Sequence, residues 1–572
     1  MRSGALVNAE LIPSGEGDKA RGAFYTDAQI ADFLVGWALR SPTDTVMDPS
    51  FGGGVFLRSA CNRLAQLGGQ AAGQVFGVEI DPKVHARVST EMAQEFPARN
   101  RHLVQADFFD IDAGQFGPVD AVVGNPPFIR YQRFSGDARR KALACASRAG
   151  VPLSSLSSSW APFLVHGTEM LKPGGRLAMV LPVEIGYAGY ALPVLAHLAK
   201  CFAKATFLTF RRKLFPQLSE DTLLLLAEGK GLGPAEFMWR DLAGPEKLAE
   251  LLGQGAFALP GTRRLNTAAL AEGRERLTEC FVPRKAIELY RQLTSLGIVR
   301  RLDQLADVGI GYVTGANDFF HLGPDAAKEW RIPIQYLRPA VRRGRAFNGL
   351  RFTNLDWRRA SKTGEAGYLL SIESEQGLPE AVLKYLAYGE KGGVPSAYKC
   401  RSRSPWFKVP HVYLPDAFLS YMSGDMPGLV ANDADAVAPN TLHIVRLFPD
   451  AKMTSDALAA LWQTSLTRLS AEIEGHAMGG GMLKLEPTEA QSVLLAAPRQ
   501  RNGKLRHLAA ELDALARMDK DEAAQARADQ VILRDDLGFS EADCRLLRTA
   551  AEHLRRRRYS RSSNHDPCGS SR

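Results

Sequence analysis

Cysteine is scarce in this sequence, and its seven copies are scattered. Neither a Cys-x-x-Cys pair nor a His/Cys spacing typical of a metal site occurs, so we predict a cytoplasmic protein with reduced thiols and no metal. No signal peptide opens the chain, and no uninterrupted apolar run spans a bilayer. The most apolar segment, residues 177–199, is interrupted by Pro182, Glu184, Pro193 and His197. We therefore expect no membrane association.

The composition is that of a large, basic, globular protein. Hydrophobic residues make up 45% and charged residues 23% of 572 residues, which predicts two or three domains with sizeable cores. The net charge of +9 and the isoelectric point near 9.1 fit a polyanionic partner, although many soluble proteins are equally basic. Composition is thus compatible with nucleic-acid binding without requiring it.

The most informative segment is Gly124-Asn125-Pro126-Pro127-Phe128. It follows the apolar residues 119–123, which predict a buried parallel strand, so it lies at the carboxyl end of that strand. There the Asn125 side-chain oxygen and the Pro126 carbonyl can both accept hydrogen bonds from one exocyclic amine, and the prolines restrict the backbone. Phe128 offers a flat face to a planar ring. The alternative is an ordinary Pro-Pro turn leaving a sheet.

Three further segments end a predicted strand with polar or glycine residues. Residues 46–57 contain a glycine loop before a helix, where backbone N–H groups can approach a ligand, although no Gly-Lys-Ser/Thr of a phosphate-binding loop follows. The strand predicted within residues 75–82 ends in an acid about 25 residues after the glycine loop. This is near the spacing at which doubly wound folds place a carboxylate on ribose hydroxyls. Residues 102–109 end in an acid and two aromatics. Each segment alone fits a structural turn, but four in this order favour a ligand site.

These motifs carry a family resemblance. The Asn-Pro-Pro-Phe and Asp-Pro-x-x-Gly-x-Gly elements together resemble the gamma-type DNA adenine-N6 methyltransferases of restriction–modification systems, from about Arg21 to about Pro498. The resemblance implies S-adenosylmethionine as the methyl donor. It also implies roles by position: Asp48, Gly52 and Gly54 shape the methionine pocket, Glu79 binds the ribose, Ile80 lies against the adenine, Asp107 accepts from the adenine amine, Phe108 packs on its ring, and Thr26 lies near the donor's carboxylate.

The sequence departs from the family pattern at two positions. Asp27 stands where proline is usual, and Phe51 stands where a small residue or cysteine is commoner. We treat both departures as minor.

The implied reaction needs placement more than acid–base groups. The sulfonium methyl is already activated, and Asn125 and Pro126 would polarise the attacking amine as charge develops. A stacked and paired adenine must leave the duplex, so Phe128 would stack on the extruded base and, by resemblance, Phe215 would cover its other face. An ordinary core aromatic is an equal alternative for Phe215. No Pro-Cys pair lies in a comparable place, which argues against carbon-5 cytosine chemistry.

The second half of the chain changes character. Arginines gather at residues 338–345, and residues 399–408 interleave cations with aromatics, a mixture that suits phosphate neutralisation beside stacking. A solvated charged face is the alternative. The residues predicted to bind DNA are Arg342, Arg343, Lys399, Arg401, Arg403 and Trp406.

The predicted fold is α/β: a Rossmann-like class I methyltransferase domain with a doubly wound, mostly parallel sheet, then an α+β target-recognition domain and a helical C-terminal segment. Gly229–Pro234 breaks the first pattern and predicts a boundary, while Leu505, Leu508, Leu512 and Leu515 have helical spacing. The predicted segments are a flexible lead (1–20), the catalytic domain (21–230), a linker region (231–284), the target-recognition domain (285–500), helices (501–558) and a disordered tail (559–572).

Three functions compete at this stage. The favoured one is a sequence-specific DNA adenine methyltransferase that acts on double-stranded DNA. The second is a methyltransferase of RNA or of a protein glutamine, because other amines and amides also fit Asn-Pro-Pro-aromatic sites, yet a protein-glutamine enzyme does not need so large a second half. The third is a DNA-binding module with an inactive methylase half, against which the intact Asn125, Glu79 and Asp107 argue. Only 25 residues precede Thr26 in this sequence, so any cognate restriction endonuclease is expected to be a separate protein.

Overall fold

The computed structural model describes residues 26–69, 73–97, 102–215, 221–253, 259, 261–497 and 502–560. The chain divides into two compact units after Cys280. Within the described residues, no helix is both long and apolar enough to cross a membrane. The predicted flexible lead and residues 561–572 of the predicted tail lie outside the described residues.

Up to residue 210, the first unit alternates strands with helices, as the apolar runs and the intervening amphipathic segments predict, and two further strands then precede the next helix. Its strands are β1 (Val46–Asp48), β2 (Val75–Glu79), β3 (Leu103–Gln105), β4 (Val119–Gly124), β5 (Leu171–Pro182), β6 (Lys204–Phe210), β7 (Thr222–Glu228), β8 (Glu236–Leu242) and β9 (Arg263–Arg264). Its helices are α1 (Ala28–Ala38), α2 (Val55–Gln66), α3 (Pro82–Glu95), α4 (Ala113–Phe116), α5 (Gly136–Arg148), α6 (Trp160–Glu169), α7 (Leu192–Cys201), α8 (Lys247–Gly253) and α9 (Thr267–Ala271).

These strands form one sheet in the order β3-β2-β1-β4-β5-β7-β6-β8-β9. β1 pairs in parallel with β2 on one side and with β4 on the other, so the strand order reverses direction at β1. Strand β7 is antiparallel to both of its neighbours. Strand β4 and the second half of β5, from Leu177 to Pro182, are buried on both faces, as their continuous apolar runs predict. The predicted doubly wound, mostly parallel sheet is confirmed.

The first unit extends beyond the turn at Gly229–Pro234. Strand β8, after that turn, pairs in parallel with β6 and continues the same sheet, and β9 pairs with β8. The segment predicted as a linker region therefore contributes strands to the first sheet. Glycine and proline mark a turn equally well within a domain and between domains, and the sequence does not distinguish the two cases.

The second unit is a mixture of small sheets and helices, consistent with the predicted α+β class. A five-stranded sheet has Leu442–Leu447 and Ala417–Ser420 at its centre, flanked by Ala306–Ile310 on one side and by Leu429–Asp433 and Arg351–Thr353 on the other. A three-stranded sheet contains His321–Leu322, Ala366–Leu370 and Leu337–Val341. The remaining strands are Val299–Arg301 with Leu494–Ala496, and Met422–Ser423 with Leu483–Lys484 and His476–Ala477.

Toward the end of this unit, the described residues form helices that follow one another without intervening strands. The helices of the unit are α10 (Arg284–Ser295), α11 (Asn317–Phe320), α12 (Pro324–Glu329), α13 (Asn354–Lys362), α14 (Glu380–Lys391), α15 (Ser455–Trp462), α16 (Ser465–Glu474), α17 (Pro487–Ser492), α18 (Asn502–Ala516), α19 (Asp521–Ala528) and α20 (Glu541–Ser560), with a π-helix at Asp529–Asp536. Leu505, Leu508 and Leu512 are buried, as their helical spacing predicts.

The end of α20 is anchored in the second unit. Arg558 is 4% exposed and forms an ion pair of 2.8 Å with Glu472 on α16, while donating hydrogen bonds to the carbonyls of Gly424 and Gly481. The Tyr559 hydroxyl donates to the same Gly424 carbonyl at 2.6 Å. The arginine run is therefore partly a structural element of the unit, because a buried guanidinium needs these acceptors.

Candidate active site

The four polar segments predicted from the sequence meet at one edge of the first sheet. Parallel β1 and β4 are neighbours, so their carboxyl ends bring Asp48 beside Gly124 and the following Asn125. The gap between them is tight, because a Cβ on Gly124 would lie 3.0 Å from Oδ1 of Asp48. This is the point where the strand order reverses, and such switch points are where open α/β sheets bind ligands.

The glycine loop after β1 is held by the acid that ends β2. Gly52 and Gly54 have φ angles of +47° and +77°, a conformation that favours glycine, and Gly54 directly precedes α2. The Gly52 N–H donates to Oε2 of Glu79 at 3.0 Å, and the Asp81 N–H donates to Oε1 at 2.8 Å. Glu79 therefore joins the two strand ends into one cradle.

Asp48 lies under this cradle and is 1% exposed. Its Oδ1 accepts the Ser50 N–H at 3.0 Å, while Oδ2 is buried without a hydrogen-bond partner among the described residues. Burial is the main cause that raises the pKa of Asp48 to about 8, and the charge of Glu79 adds to it. The carboxyl thus favours its neutral form unless a cationic group approaches.

Asn125 presents an unsatisfied acceptor at the same edge. Its Nδ2 donates to Oγ1 of Thr26 at 3.2 Å, which fixes the orientation of the amide. Its Oδ1 is buried, and no donor in the described part of the chain contacts it. A buried carbonyl oxygen without a partner is costly, so this atom is suited to accept from a bound group.

The loop after Asn125 is clamped by Ser159, which sequence analysis missed as a functional residue. Ser159 Oγ donates to the Pro127 carbonyl and accepts the Ile129 N–H at 2.8 Å, while the Ser159 N–H donates to the Ile129 carbonyl at 3.0 Å. These bonds bracket Phe128, which is 9% exposed, and Ser159 itself is 1% exposed. The serine-rich stretch before α6 was the only signal in the sequence, and it does not identify the contact.

The other residues predicted to contact S-adenosylmethionine differ in how exposed they are. Ile80 is 59% exposed directly after β2, so its side chain is open to contact by a bound group. Asp107 lies at the end of β3 and accepts the Phe109 N–H at 3.1 Å. Phe108 is buried and stacks on Phe163 with ring centroids 5.4 Å apart. Phe108 thus already has an aromatic partner within the core.

Phe215 and the departures from the family pattern also have clear positions. Phe215 is buried at the end of the described segment 102–215. Asp27 caps α1 by accepting the Gln29 N–H at 2.8 Å. The Phe51 ring fills the space above Gly77 in β2, where a Cβ would lie 2.7 Å from Cδ1 of that ring. The glycine at position 77 accommodates the bulky residue at position 51.

Two known families match separate segments of the chain. The family described as N-6 DNA Methylase matches residues 14–191, which contain all four strand-end segments. The family described as the C-terminal domain of the Type II methyltransferase M.Eco57I matches residues 274–533.

Along most of its length, the chain is similar to the gamma-type DNA methyltransferases of restriction–modification systems. Within this family, the chain is 20% identical to the Type II methyltransferase M.AccI of Acinetobacter calcoaceticus over 82% of this chain and 83% of that protein. It is 21% identical to M.XamI of Xanthomonas campestris pv. amaranthicola over 86% and 88%. Its fold is similar to that of the Type IIL restriction–modification enzyme MmeI in complex with DNA, with a TM-score of 0.56, 12% identity and coverage of 93% and 75%.

In this methyltransferase, the predicted DNA contacts of the second unit separate into surface and internal residues. Lys399 and Arg401 are exposed and both lie over the Tyr398 ring, at 5.4 Å, and Tyr398 is 71% exposed. Arg403 instead donates to the backbone carbonyls of Thr314 and Val313 at 2.8 and 2.5 Å.

The other three predicted DNA contacts also differ in exposure. Trp406 is partly buried and packs on Phe319 against the core of the unit, with ring centroids 5.5 Å apart. Arg342 is half-buried and Arg343 is exposed. Exposed cations beside an exposed aromatic are therefore found at Lys399 and Arg401, whereas Arg403 and Trp406 are engaged within the protein.

Proposed function

We propose that this methyltransferase transfers a methyl group from S-adenosylmethionine to N6 of an adenine extruded from double-stranded DNA, as the modification enzyme of a restriction–modification system. The observation that carries the proposal is the buried, unpartnered Oδ1 of Asn125 at the switch point of the sheet. An exocyclic amine is a donor of the kind this oxygen lacks. The match of residues 14–191 to the N-6 DNA Methylase family supports the same substrate atom.

The residues at the sheet edge fit S-adenosylmethionine by their chemistry. Asp48 has a buried, unpartnered oxygen for an ammonium group, and the positive-φ glycines at 52 and 54 leave the loop backbone open to close approach. Glu79 and the exposed Ile80 follow β2, where a ribose and a purine would be bound, and Asp107 follows β3. When bound, the donor supplies an electrophilic methyl carbon on a sulfonium. Thr26 accepts a hydrogen bond from Asn125 and would also lie near the carboxylate of the methyl donor.

The chain's own residues position the attacking amine. Asn125 Oδ1 and the Pro126 carbonyl accept its two N–H groups and stabilise the positive charge that develops on nitrogen. Phe128 provides a stacking face at the end of a loop that Ser159 holds in place. Phe215 is proposed for the opposite face of the extruded base. No residue needs to remove a proton before attack, since polarisation and alignment lower the barrier.

The second unit is proposed to recognise the DNA target. Residues 285–500 lie entirely within the segment, 274–533, that matches the M.Eco57I C-terminal domain family. The exposed Lys399 and Arg401 beside Tyr398, together with Arg342 and Arg343, would neutralise phosphates. Arg403 and Trp406 would hold this segment in place through their contacts within the unit. A restriction endonuclease, if it accompanies this enzyme, is proposed to be a separate protein.

The test is a set of methyl-transfer assays with a tritiated donor and, separately, duplex DNA, RNA and a translation release factor. Incorporation into DNA alone, with N6-methyladenine after digestion, is expected; incorporation into RNA or protein alone contradicts the proposal. Asn125→Ala should abolish transfer and keep donor binding, because the base amine loses its acceptor while the cradle at 48–54 stays intact. Retained turnover in Asn125→Ala would remove this residue from the reaction.

A further inference from the structure

The second unit contains a cavity that lies apart from every residue assigned above to methyl transfer or DNA contact. It lies between α16, α19 and α20, has a volume of about 60 Å³ and is partly open to solvent. Arg468 on α16, Gln525 on α19 and Arg548 on α20 line it. Helix α20 supplies much of the wall and lies beyond residue 533, where the family match ends.

The unsatisfied groups in this cavity are hydrogen-bond donors. Gln525 is 4% exposed, and its Nε2 has no hydrogen-bond partner within the described chain. The Nε of Arg468 is likewise buried without an acceptor in the described residues. A buried donor without an acceptor is costly, and more so when it is charged, so both positions favour a ligand that supplies acceptors.

The acidic side chains of the cavity are already neutralised. Glu472 is paired with Arg558 at 2.8 Å, and Asp425 lies 2.9 Å from Nε of Arg555. Glu552 is within 2.8 Å of Nε of Arg556. The wall therefore offers no free carboxylate to attract a cation or to repel an anion strongly.

Arg468 is the cation of this wall that lacks a carboxylate partner in the described part of the unit. Arg548 is compensated by Asp529, with Nη2 and Oδ2 3.0 Å apart. One uncompensated guanidinium beside an uncompensated amide N–H matches an acceptor-only group of a few atoms. The volume is suited to a single tetrahedral oxyanion rather than to a nucleotide.

We infer that this cavity is a binding site for a small oxyanion of the phosphate class, held by Arg468 and Gln525 against α20. The inference does not depend on the proposed methyl-transfer function, because it uses no residue of the first unit. The oxyanion comes either from free phosphate or from a phosphate of the DNA backbone, which present the same acceptors to the site.

The experiment measures phosphate binding by the full chain. Thermal unfolding is followed with increasing phosphate or sulfate against chloride at matched ionic strength, and affinity is measured by calorimetry. A saturable rise in Tm with both oxyanions, and not with chloride, is expected. Arg468→Met should weaken phosphate binding by about tenfold or more, since a hydrogen bond to a charged group is lost. Gln525→Glu should weaken it too, because a carboxylate replaces the amide donor.

The matched control is Arg545→Met on the exposed face of α20, which removes the same charge from the same unit. It should bind phosphate as the unsubstituted chain does. A wild-type protein without a saturable oxyanion effect, or equal losses in Arg545→Met and Arg468→Met, would overturn the inference. If Arg468→Met fails to fold, Gln525→Glu decides the outcome by the same measurement.

The source of the oxyanion is then assigned by competition. Duplex DNA of unrelated sequence is added to protein carrying radiolabelled phosphate. If DNA displaces the labelled phosphate, and does so in Arg545→Met as well, the occupant is a backbone phosphate. If the labelled phosphate stays bound, the occupant is the free ion. Both results uphold an oxyanion site and differ only in where the ion comes from.

Discussion

Nδ2 of Asn125 donates a hydrogen bond of 3.2 Å to Oγ1 of Thr26, which joins the residue after β4 to the residue two positions before α1. The bond uses the donor side of the amide and leaves Oδ1 without a partner among the described residues. Thr26 therefore helps determine which end of the Asn125 side chain is available to a base.

Thr26→Val is expected to slow methyl transfer about threefold to tenfold at saturating donor, because one hydrogen bond of about 0.5–1.5 kcal/mol that orients Asn125 is lost. Thr26→Ser keeps the hydroxyl and should retain most of the rate. Single-turnover rates and donor affinity are measured for both variants. A Thr26→Val enzyme with an unchanged rate and weaker donor affinity would assign Thr26 to the donor alone.

Ser159→Ala is expected to lower the single-turnover rate by about tenfold while donor affinity stays constant, because the loop that carries Phe128 loses both hydroxyl hydrogen bonds. The matched control is Ser157→Ala, since Ser157 is equally buried and its hydroxyl has no partner in the described residues. Equal rates in the two variants would show that Ser159 does not position the loop.

Asp48 should make stability depend on pH in the ligand-free protein. Burial raises the pKa of Asp48 to about 8, so between about pH 4 and about pH 8 the folded protein holds a proton that the unfolded chain releases. The free energy of unfolding should therefore fall with rising pH, by up to about 1.4 kcal/mol per unit from this group. Asp48→Asn, which cannot titrate, should lack this contribution in urea unfolding. Parallel pH profiles for the two proteins would rule the effect out.

Lys399 and Arg401 should contribute to the salt dependence of DNA binding. Replacing both by Gln is expected to reduce the slope of log K against log salt by about 2, since each phosphate contact releases about one counterion. Binding titrations at several salt concentrations measure the slope. Arg403→Met serves as the contrast. It should lower Tm and leave the salt slope nearly unchanged, because Arg403 binds two backbone carbonyls. An unchanged slope in the double variant would exclude these cations from the interface.

Arg517 is expected to be a major stabilising residue of the second unit. It donates to Asp356, 2% exposed, at 2.8 Å and to Asp513 at 2.8 Å. Burial alone would raise the pKa of Asp356, yet the hydrogen bonds from Arg517 and Thr353 outweigh it and lower the pKa to about 2. Arg517→Met should cost about 3 kcal/mol of unfolding free energy, since a buried carboxylate loses its partner. Denaturant unfolding measures this, and a loss near zero would contradict it.

The part of the first sheet around β1, β2 and β4 was predictable from the sequence because these strands are apolar runs that end in chemically distinct residues, whereas the addition of β8 and β9 was not. Asp48, Glu79 and Asn125 mark three of those ends, and the switch-point topology brings them together. Contacts between distant segments were not predictable. Ser159 bonds to a loop 30 residues earlier in the chain, and no local pattern in the serine-rich stretch specifies that partner.

Charge patterns predicted surface contacts less well than strand ends predicted the site. Lys399, Arg401 and Arg403 read alike in the sequence, but Arg403 turns inward because two backbone carbonyls need a donor. The same applies to Trp406, which completes an aromatic cluster. Exposure is a property of the folded neighbourhood, and the local sequence does not encode it.

The ion pair between Arg558 and Glu472 has a practical consequence for protein engineering. Trimming the polypeptide at residue 533, where its recognisable homology stops, would strand the Glu472 carboxylate in the interior with no counter-ion. Chimeric enzymes made by exchanging the second unit between relatives would therefore have to take Glu541–Ser560 and the helix that carries Glu472 from the same parent protein.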